Sequence, residues 1–299
     1  MTGCATSGPP LANWAAVNLR VAKPIELTNV PFYPQQKYQC GPAALAEMLN
    51  WSGVSVTPDT LKDYVYIPGR EGSLQAELIA QTRARGRLAI PIHGPQALLA
   101  ELQAGHPVLV LQNNGLSWLP QWHYAVVIGY LPKQQAVILR SGTIKRYVLD
   151  QDTFNHTWRR GDYWGLLVLP PGELPVSVTP LKYAQSITAL AQVNPTANTL
   201  LAWQAGYQRW PMHRIVALGF ANALYAQQKF ALTEQVLNAL VMHYPNDGVI
   251  WNNLAMALAQ QGKWQAAEAM ATIAVKRGGS HAKEFEHTLE MIEKRNLQD

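Results

Sequence analysis

Val30-Pro31-Phe32-Tyr33-Pro34-Gln35-Gln36-Lys37-Tyr38-Gln39-Cys40-Gly41-Pro42-Ala43-Ala44-Leu45-Ala46 is the stretch on which the reading of this chain turns. A cysteine stands just before a run of helical character, Gly41 to Trp51. Gly41 leaves the backbone room for a sharp entry, and Pro42 suits a first helical turn, where its missing N–H goes unused. The positive end of a helix favours an anion, so this position is expected to lower the Cys40 pKa. The thiolate is the reactive form of cysteine, so the placement suits a nucleophile. A glutamine shortly upstream can donate its side-chain N–H to a developing oxyanion, beside the Cys40 backbone N–H. Taken by itself Cys40 reads as a small buried residue capping a helix; the Gln-rich approach and Gly-Pro-Ala-Ala weigh against that.

A nucleophile of this kind needs a base, and His123 opens the β-rich run His123-Tyr124-Ala125-Val126-Val127-Ile128-Gly129-Tyr130. A histidine at the start of a central strand can face the head of the Cys40 helix across a cleft and take the thiol proton. His93, His106 and His156 lack a matching context and read as surface or satisfied core residues. His213, His243, His281 and His287 fall in a later helical region and read as solvated.

Outward from these motifs, residues 25–171 read as an α+β domain. Helical patterns at Gly41–Trp51, Ser73–Arg85 and Pro95–Ala104 precede strands at 107–111, 124–128, 136–139 and 165–169. Pro170-Pro171-Gly172-Glu173-Leu174-Pro175 marks a domain boundary. Residues 179–299 are rich in Ala, Leu and Gln and repeat themselves. A shift of 34 residues lays Trp210-Pro211 on Tyr244-Pro245, Ala221 on Ala255, Leu224 on Leu258, Phe230 on Trp264 and Glu234 on Glu268. That period, with small residues where paired helices touch, resembles tetratricopeptide repeats. Units are expected near 179–212, 213–246 and 247–280, with a capping helix from His281. Each helix pair has an apolar face that only its neighbours can cover, so the pairs stack into an all-α solenoid. Such stacks commonly hold a protein segment, which makes a protein partner the expected ligand of this half.

Composition narrows the function classes. Apolar residues make up 48% and charged residues 14%, enough for buried cores. The formal net charge of +5 is spread along the chain, with no Lys/Arg run, which argues against nucleic acid. No run approaches the ~20 apolar residues of a membrane span. Metal and cofactor chemistry find no support: there is no His-Glu-x-x-His, no paired cysteine ligands and no Gly-rich phosphate loop. The two cysteines, Cys4 and Cys40, do not suggest a disulfide framework. Residues 1–24 read as an N-terminal tether. Met1-Thr2-Gly3-Cys4-Ala5-Thr6-Ser7-Gly8 resembles the junction where a bacterial lipoprotein signal ends and a cysteine is lipidated. Under that reading the protein is membrane-attached on the periplasmic side of the cell envelope. With no signal before Cys4 it is cytoplasmic.

Taken together, the Cys40-Gly41-Pro42-Ala43-Ala44-Leu45 and His123-to-Tyr130 motifs resemble the C39-like peptidases, papain-like enzymes related to those that remove leader peptides from bacteriocin precursors. The resemblance covers about Pro24 to Pro171. It implies a papain-like fold, a peptide or protein substrate, Cys40 as nucleophile, His123 as general base and Gln35 as oxyanion donor. Two departures stand out. The family's glutamine commonly sits six residues before the cysteine, where this chain has Pro34; Gln35 and Gln36 follow it, and Gln35 is the choice. The family's strand after the histidine commonly ends in Asn-Asp-Pro, whose Asp orients the imidazole. Here it ends Leu139-Arg140-Ser141-Gly142, with Ser141 in the Asp position and Asp150 and Asp152 further on. A serine hydroxyl hydrogen-bonds imidazole but cannot compensate imidazolium charge. Three readings therefore stand: a cysteine peptidase whose repeats recruit substrate, a weak or inactive peptidase-like adaptor that binds partners through its repeats, and an enzyme that uses a nucleophilic Cys40 for acyl or amide transfer or for deamidation.

Overall fold

The computed structural model describes residues 9–12, 14, 21–35, 39–67, 69, 72–116, 118–195 and 198–296. The chain divides into two compact units, residues 1–197 and 198–299.

The first unit is built on an antiparallel sheet. Its strands are β1 (Ile25–Glu26), β2 (Leu88–His93), β3 (Val108–Asn113), β4 (Trp122–Leu131), β5 (Ala136–Ser141), β6 (Ile144–Asp150) and β7 (Trp164–Leu169). They run in the order β2-β7-β3-β4-β5-β6, with β1 on β4. On β4, Tyr124, Val126 and Ile128 face one core while Ala125 and Val127 are equally buried. Both sides of the sheet are covered, so the strand reads as a continuous apolar run rather than an alternating one. Strand β1 pairs with β4 at Gly129 and Tyr130, just past Val127, where the β3 pairing ends, and the β4–β5 pairing is bulged between Val127 and Gly129. A Cβ on Gly129 would sit 2.2 Å from the Ile25 carbonyl oxygen, so the pairing requires glycine there.

The helices of this unit are α1 (Cys40–Trp51), α2 (Pro58–Val65), α3 (Gln75–Ala84), α4 (Pro95–Gln103), α5 (Gln151–Arg159) and α6 (Pro180–Val193). The whole of Gly41 to Leu49 is buried, so α1 runs through the core, packed on β3, β4 and β5. The three helices and four strands read from the sequence are present. Strands β2 and β6 and helices α2 and α5 join them. Part of the expected tether also packs here. Trp14 is buried beside Tyr130 and Phe154, and the Ala12 N–H donates to Tyr163 Oη at 2.8 Å. Cys4 lies outside the described residues.

The second unit is all-helical: α7 (Thr199–Arg209), α8 (Arg214–Ala226), α9 (Phe230–His243), α10 (Gly248–Ala259), α11 (Trp264–Arg277) and α12 (Ala282–Asn296). Arg214 and Gly248 open helices 34 residues apart, as do Phe230 and Trp264, consistent with a helical repeat. Small residues let the helices approach: Ala221, Ala255, Ala267 and Ala271 are fully buried among Leu237, Leu240 and Leu254. The compact units part between Ala197 and Asn198, whereas the Pro/Gly-rich stretch precedes α6. Helix α6 buries Tyr183, Ala184, Ile187 and Leu190 and packs on β2 and α3, which draws it into the first unit.

Candidate active site

Cys40 is the first residue of α1, and its thiol is free. The head of the helix is tightly covered: a Cβ on Gly41 would fall 2.2 Å from Ser73 Oγ. Glycine is therefore the residue that lets the loop before α3 approach the head of the helix beside Cys40. His123 is the second residue of β4, paired with Gln112 on β3. Its Nε2 lies 2.8 Å from Ser141 Oγ at the end of β5. That contact leaves Nδ1 as the ring nitrogen free to serve a substrate or the thiol. Gln35 donates its backbone N–H to the Gly142 carbonyl at 2.9 Å, and its Nε2 lies 3.5 Å from the Tyr124 carbonyl oxygen, a long contact. Gln35, Cys40 and His123 line one cleft of about 1090 Å3, together with Ser73, Trp122 and Asp162.

The expected electrostatics of Cys40 need correction. Burial pushes its thiol above the ordinary value, although backbone N–H groups of Tyr124, Gly41 and Cys40 itself favour the thiolate. The helix-end effect is real but fades within a turn, and loss of water outweighs it here. Burial also pushes His123 below its ordinary value. Both shifts favour the uncharged forms, thiol and imidazole, over the ion pair.

The structure brings Cys40, His123 and Gln35 to one cleft and puts Ser141 on the imidazole. Asp150 is elsewhere: it caps α5, accepting from the backbone N–H groups of Asp152 and Thr153 at 3.0 Å. Asp152 is exposed in the first turn of that helix. The competing histidines do not line the cleft. His106 is buried between Glu101 (2.6 Å) and Glu173 (3.3 Å), which hold it above its ordinary value against the burial that opposes them. Gln36 and Tyr38 lie outside the described residues. Among the described residues no cluster of three or more His, Cys, Asp or Glu could hold a metal ion.

Sequence reasoning missed Ser73, Arg160 and Asp162 as cleft residues. Asp162 and Tyr163 both have positive φ, 57° and 52°, a conformation costly for side chains. Tyr163 Oη, bonded to Asn155 Oδ1 at 2.8 Å, ties the turn down. The Arg160-Gly161-Asp162 string is the kind of turn signal from which a cleft rim is readable.

With that geometry in hand, residues 27–163 match the Peptidase_C39 like family. A search of the curated proteins gives no match. Among solved structures, a putative C39-like peptidase from Bacillus anthracis is 18% identical, covering 49% of this chain and 98% of that one, with a TM-score of 0.42. The peptidase domain of Streptococcus ComA, a bifunctional ABC transporter involved in a quorum-sensing pathway, is 18% identical over 48% of this chain and 99% of that one, TM-score 0.40. MamA from Desulfovibrio magneticus RS-1 is 18% identical over 40% of this chain and 66% of that one, TM-score 0.36.

Proposed function

We propose that the first unit is a cysteine peptidase that cleaves a peptide or protein substrate, and that the second is a tetratricopeptide-like region that recruits it. One observation carries the reading: a free thiol at a helix head, an imidazole fixed through Nε2 and a glutamine amide share one open cleft. As a peptide carbonyl approaches, the Cys40 proton passes to His123 Nδ1 and the sulfur bonds to the carbonyl carbon. The Cys40 backbone N–H and the Gln35 side-chain N–H receive the oxyanion. The C–N bond then breaks, imidazolium protonates the leaving amine, and water activated by His123 hydrolyses the thioester. Ser141 keeps the imidazole oriented without supplying negative charge. The exposed Trp122 at the cleft edge and Trp118 nearby in sequence, 53% and 78% accessible, suit an extended chain carrying apolar side chains.

The test is acyl transfer to Cys40. With p-nitrophenyl acetate the wild-type protein is expected to release p-nitrophenolate in a burst, with mass spectrometry placing an acetyl group on Cys40. Cys40→Ala is expected to give neither. Identical nitrophenolate release from both proteins contradicts the reading and leaves the adaptor.

A further inference from the structure

Glu47 lies two turns behind Cys40 on α1 and is fully buried. A carboxyl group in an apolar core is costly unless its position earns a bond that matters. Its Oε1 accepts the Tyr33 backbone N–H at 3.1 Å. Its Oε2 has no partner among the described residues. Burial pushes this carboxyl up to about 8, against the pull of the Tyr33 N–H and the Arg140 charge. At neutral pH it is therefore protonated, and Oε1 still accepts.

The segment it holds leads to Gln35 two residues later. Among the described residues, the other hydrogen bonds to that segment come from outside α1. Arg140 donates from Nη2 and Nε to the Val30 carbonyl, at 2.9 and 3.2 Å. The Gly142 carbonyl takes the Gln35 N–H at 2.9 Å. The Tyr33 hydroxyl reaches the Val56 carbonyl at 3.4 Å. Among the described residues, the bond to Glu47 is the hydrogen bond that ties this loop directly to the helix carrying Cys40. Oxyanion stabilisation needs the Cys40 N–H and the Gln35 amide at a fixed separation.

We propose that Glu47 is a positioning residue, which sets the spacing between the nucleophile helix and the Gln35 loop and so completes the oxyanion site. The proposal rests on the peptidase reading and deepens it. Two substitutions separate acceptor from volume: Glu47→Gln keeps a carbonyl oxygen and mimics the protonated acid, whereas Glu47→Met keeps the bulk and loses the acceptor.

The experiment compares two reactions of the same thiol. Cys40 acylation by p-nitrophenyl acetate passes through an oxyanion; alkylation by iodoacetamide does not. Glu47→Met is expected to lower the acylation rate tenfold or more, within the roughly 10²–10³ lost with a whole oxyanion donor. Its alkylation rate should stay within twofold of wild type. Glu47→Gln should restore acylation, and Glu47→Met should have no further effect in a Gln35→Ala background. If thermal melting shows Glu47→Met to be unfolded, Glu47→Leu, which likewise fills the site without an acceptor, carries the same expectations. Unchanged acylation, an equal fall in alkylation, or no rescue by Gln each overturns the proposal. A wild-type protein without Cys40-dependent turnover removes the peptidase reading first, and this proposal with it.

Discussion

The two units bury different things. In the first, Glu47, Glu101, His106, Gln112, Asn113 and Arg140 are buried, each with partners that fix a loop or a strand end. In the second, the buried polar residues among those described are Thr233 and Thr288, each bonded to a carbonyl of its own or the preceding turn, Lys229 and Glu284. A buried polar network costs stability unless fully satisfied, and in exchange it specifies one geometry. A repeat gains its stability from apolar contacts with its neighbours and needs no such device. The contrast teaches where chemistry can be held: a cleft needs fixed distances between unlike groups, and only the first unit invests in them.

The largest test of that contrast is a cavity in the repeat core. Leu254→Ala removes a buried side chain from the centre of the second unit and is expected to cost about 2–5 kcal/mol there. Differential scanning calorimetry should show the loss, while iodoacetamide alkylation of Cys40 keeps its wild-type rate. A parallel fall in alkylation breaks the division between the units.

A comparable effect, dependent on pH, belongs to Glu47. Unfolded, this carboxyl titrates near its ordinary value of 4.5; folded, near 8. Between these values the native protein holds the extra proton, so Glu47 makes stability fall as pH rises through the window. At about 1.4 kcal/mol per pKa unit the total is on the order of a few kcal/mol. Urea denaturation from pH 5 to pH 8 should show a smaller decline for Glu47→Gln than for wild type. Equal slopes remove the buried-carboxyl account.

Ser141→Asp restores a carboxylate beside His123 Nε2. It is expected to raise acylation severalfold and to move the acid limb of the pH–rate profile upward, because a negative neighbour favours imidazolium. An unmoved limb means that the new carboxylate does not reach the ring. The smallest effect is expected on the repeat surface. Lys263 Nζ meets Glu234 Oε2 at 2.6 Å with the lysine side chain 48% exposed. Lys263→Ala should change the second unit's stability by about 0–1 kcal/mol, and a larger loss in calorimetry sharpens the view of how repeats are tied.

Much of this was legible in the sequence, for reasons that differ by residue. Cys40 and His123 announce themselves through local context, a cysteine before Gly-Pro-Ala-Ala and a histidine opening an apolar strand. Ser141 was reachable because it sits one strand on from His123, and strand order follows the chain there. The 34-residue period is a local property and marks the helix starts of the second unit. Strand β6, largely exposed and carrying Lys145 and Arg146, lacks the apolar run that signals a strand. Glu47 and Arg140 look like ordinary charges until the fold encloses them. The direction of the Cys40 shift was misjudged because a helix end is visible in sequence and desolvation is not. Helix α6 continues the compositional pattern of the repeats but packs on β2, a choice that tertiary contact alone makes.

The most direct measurement is the rate of Cys40 alkylation by iodoacetamide from pH 5 to pH 10, in wild type and in His123→Ala. If the imidazole takes the thiol proton, the wild-type rate rises on an acid limb below the ordinary histidine value of 6.5 and is already substantial at neutral pH. His123→Ala should then react slowly until the pH reaches the raised thiol range. Superimposed profiles, both following an isolated buried thiol, would contradict the account.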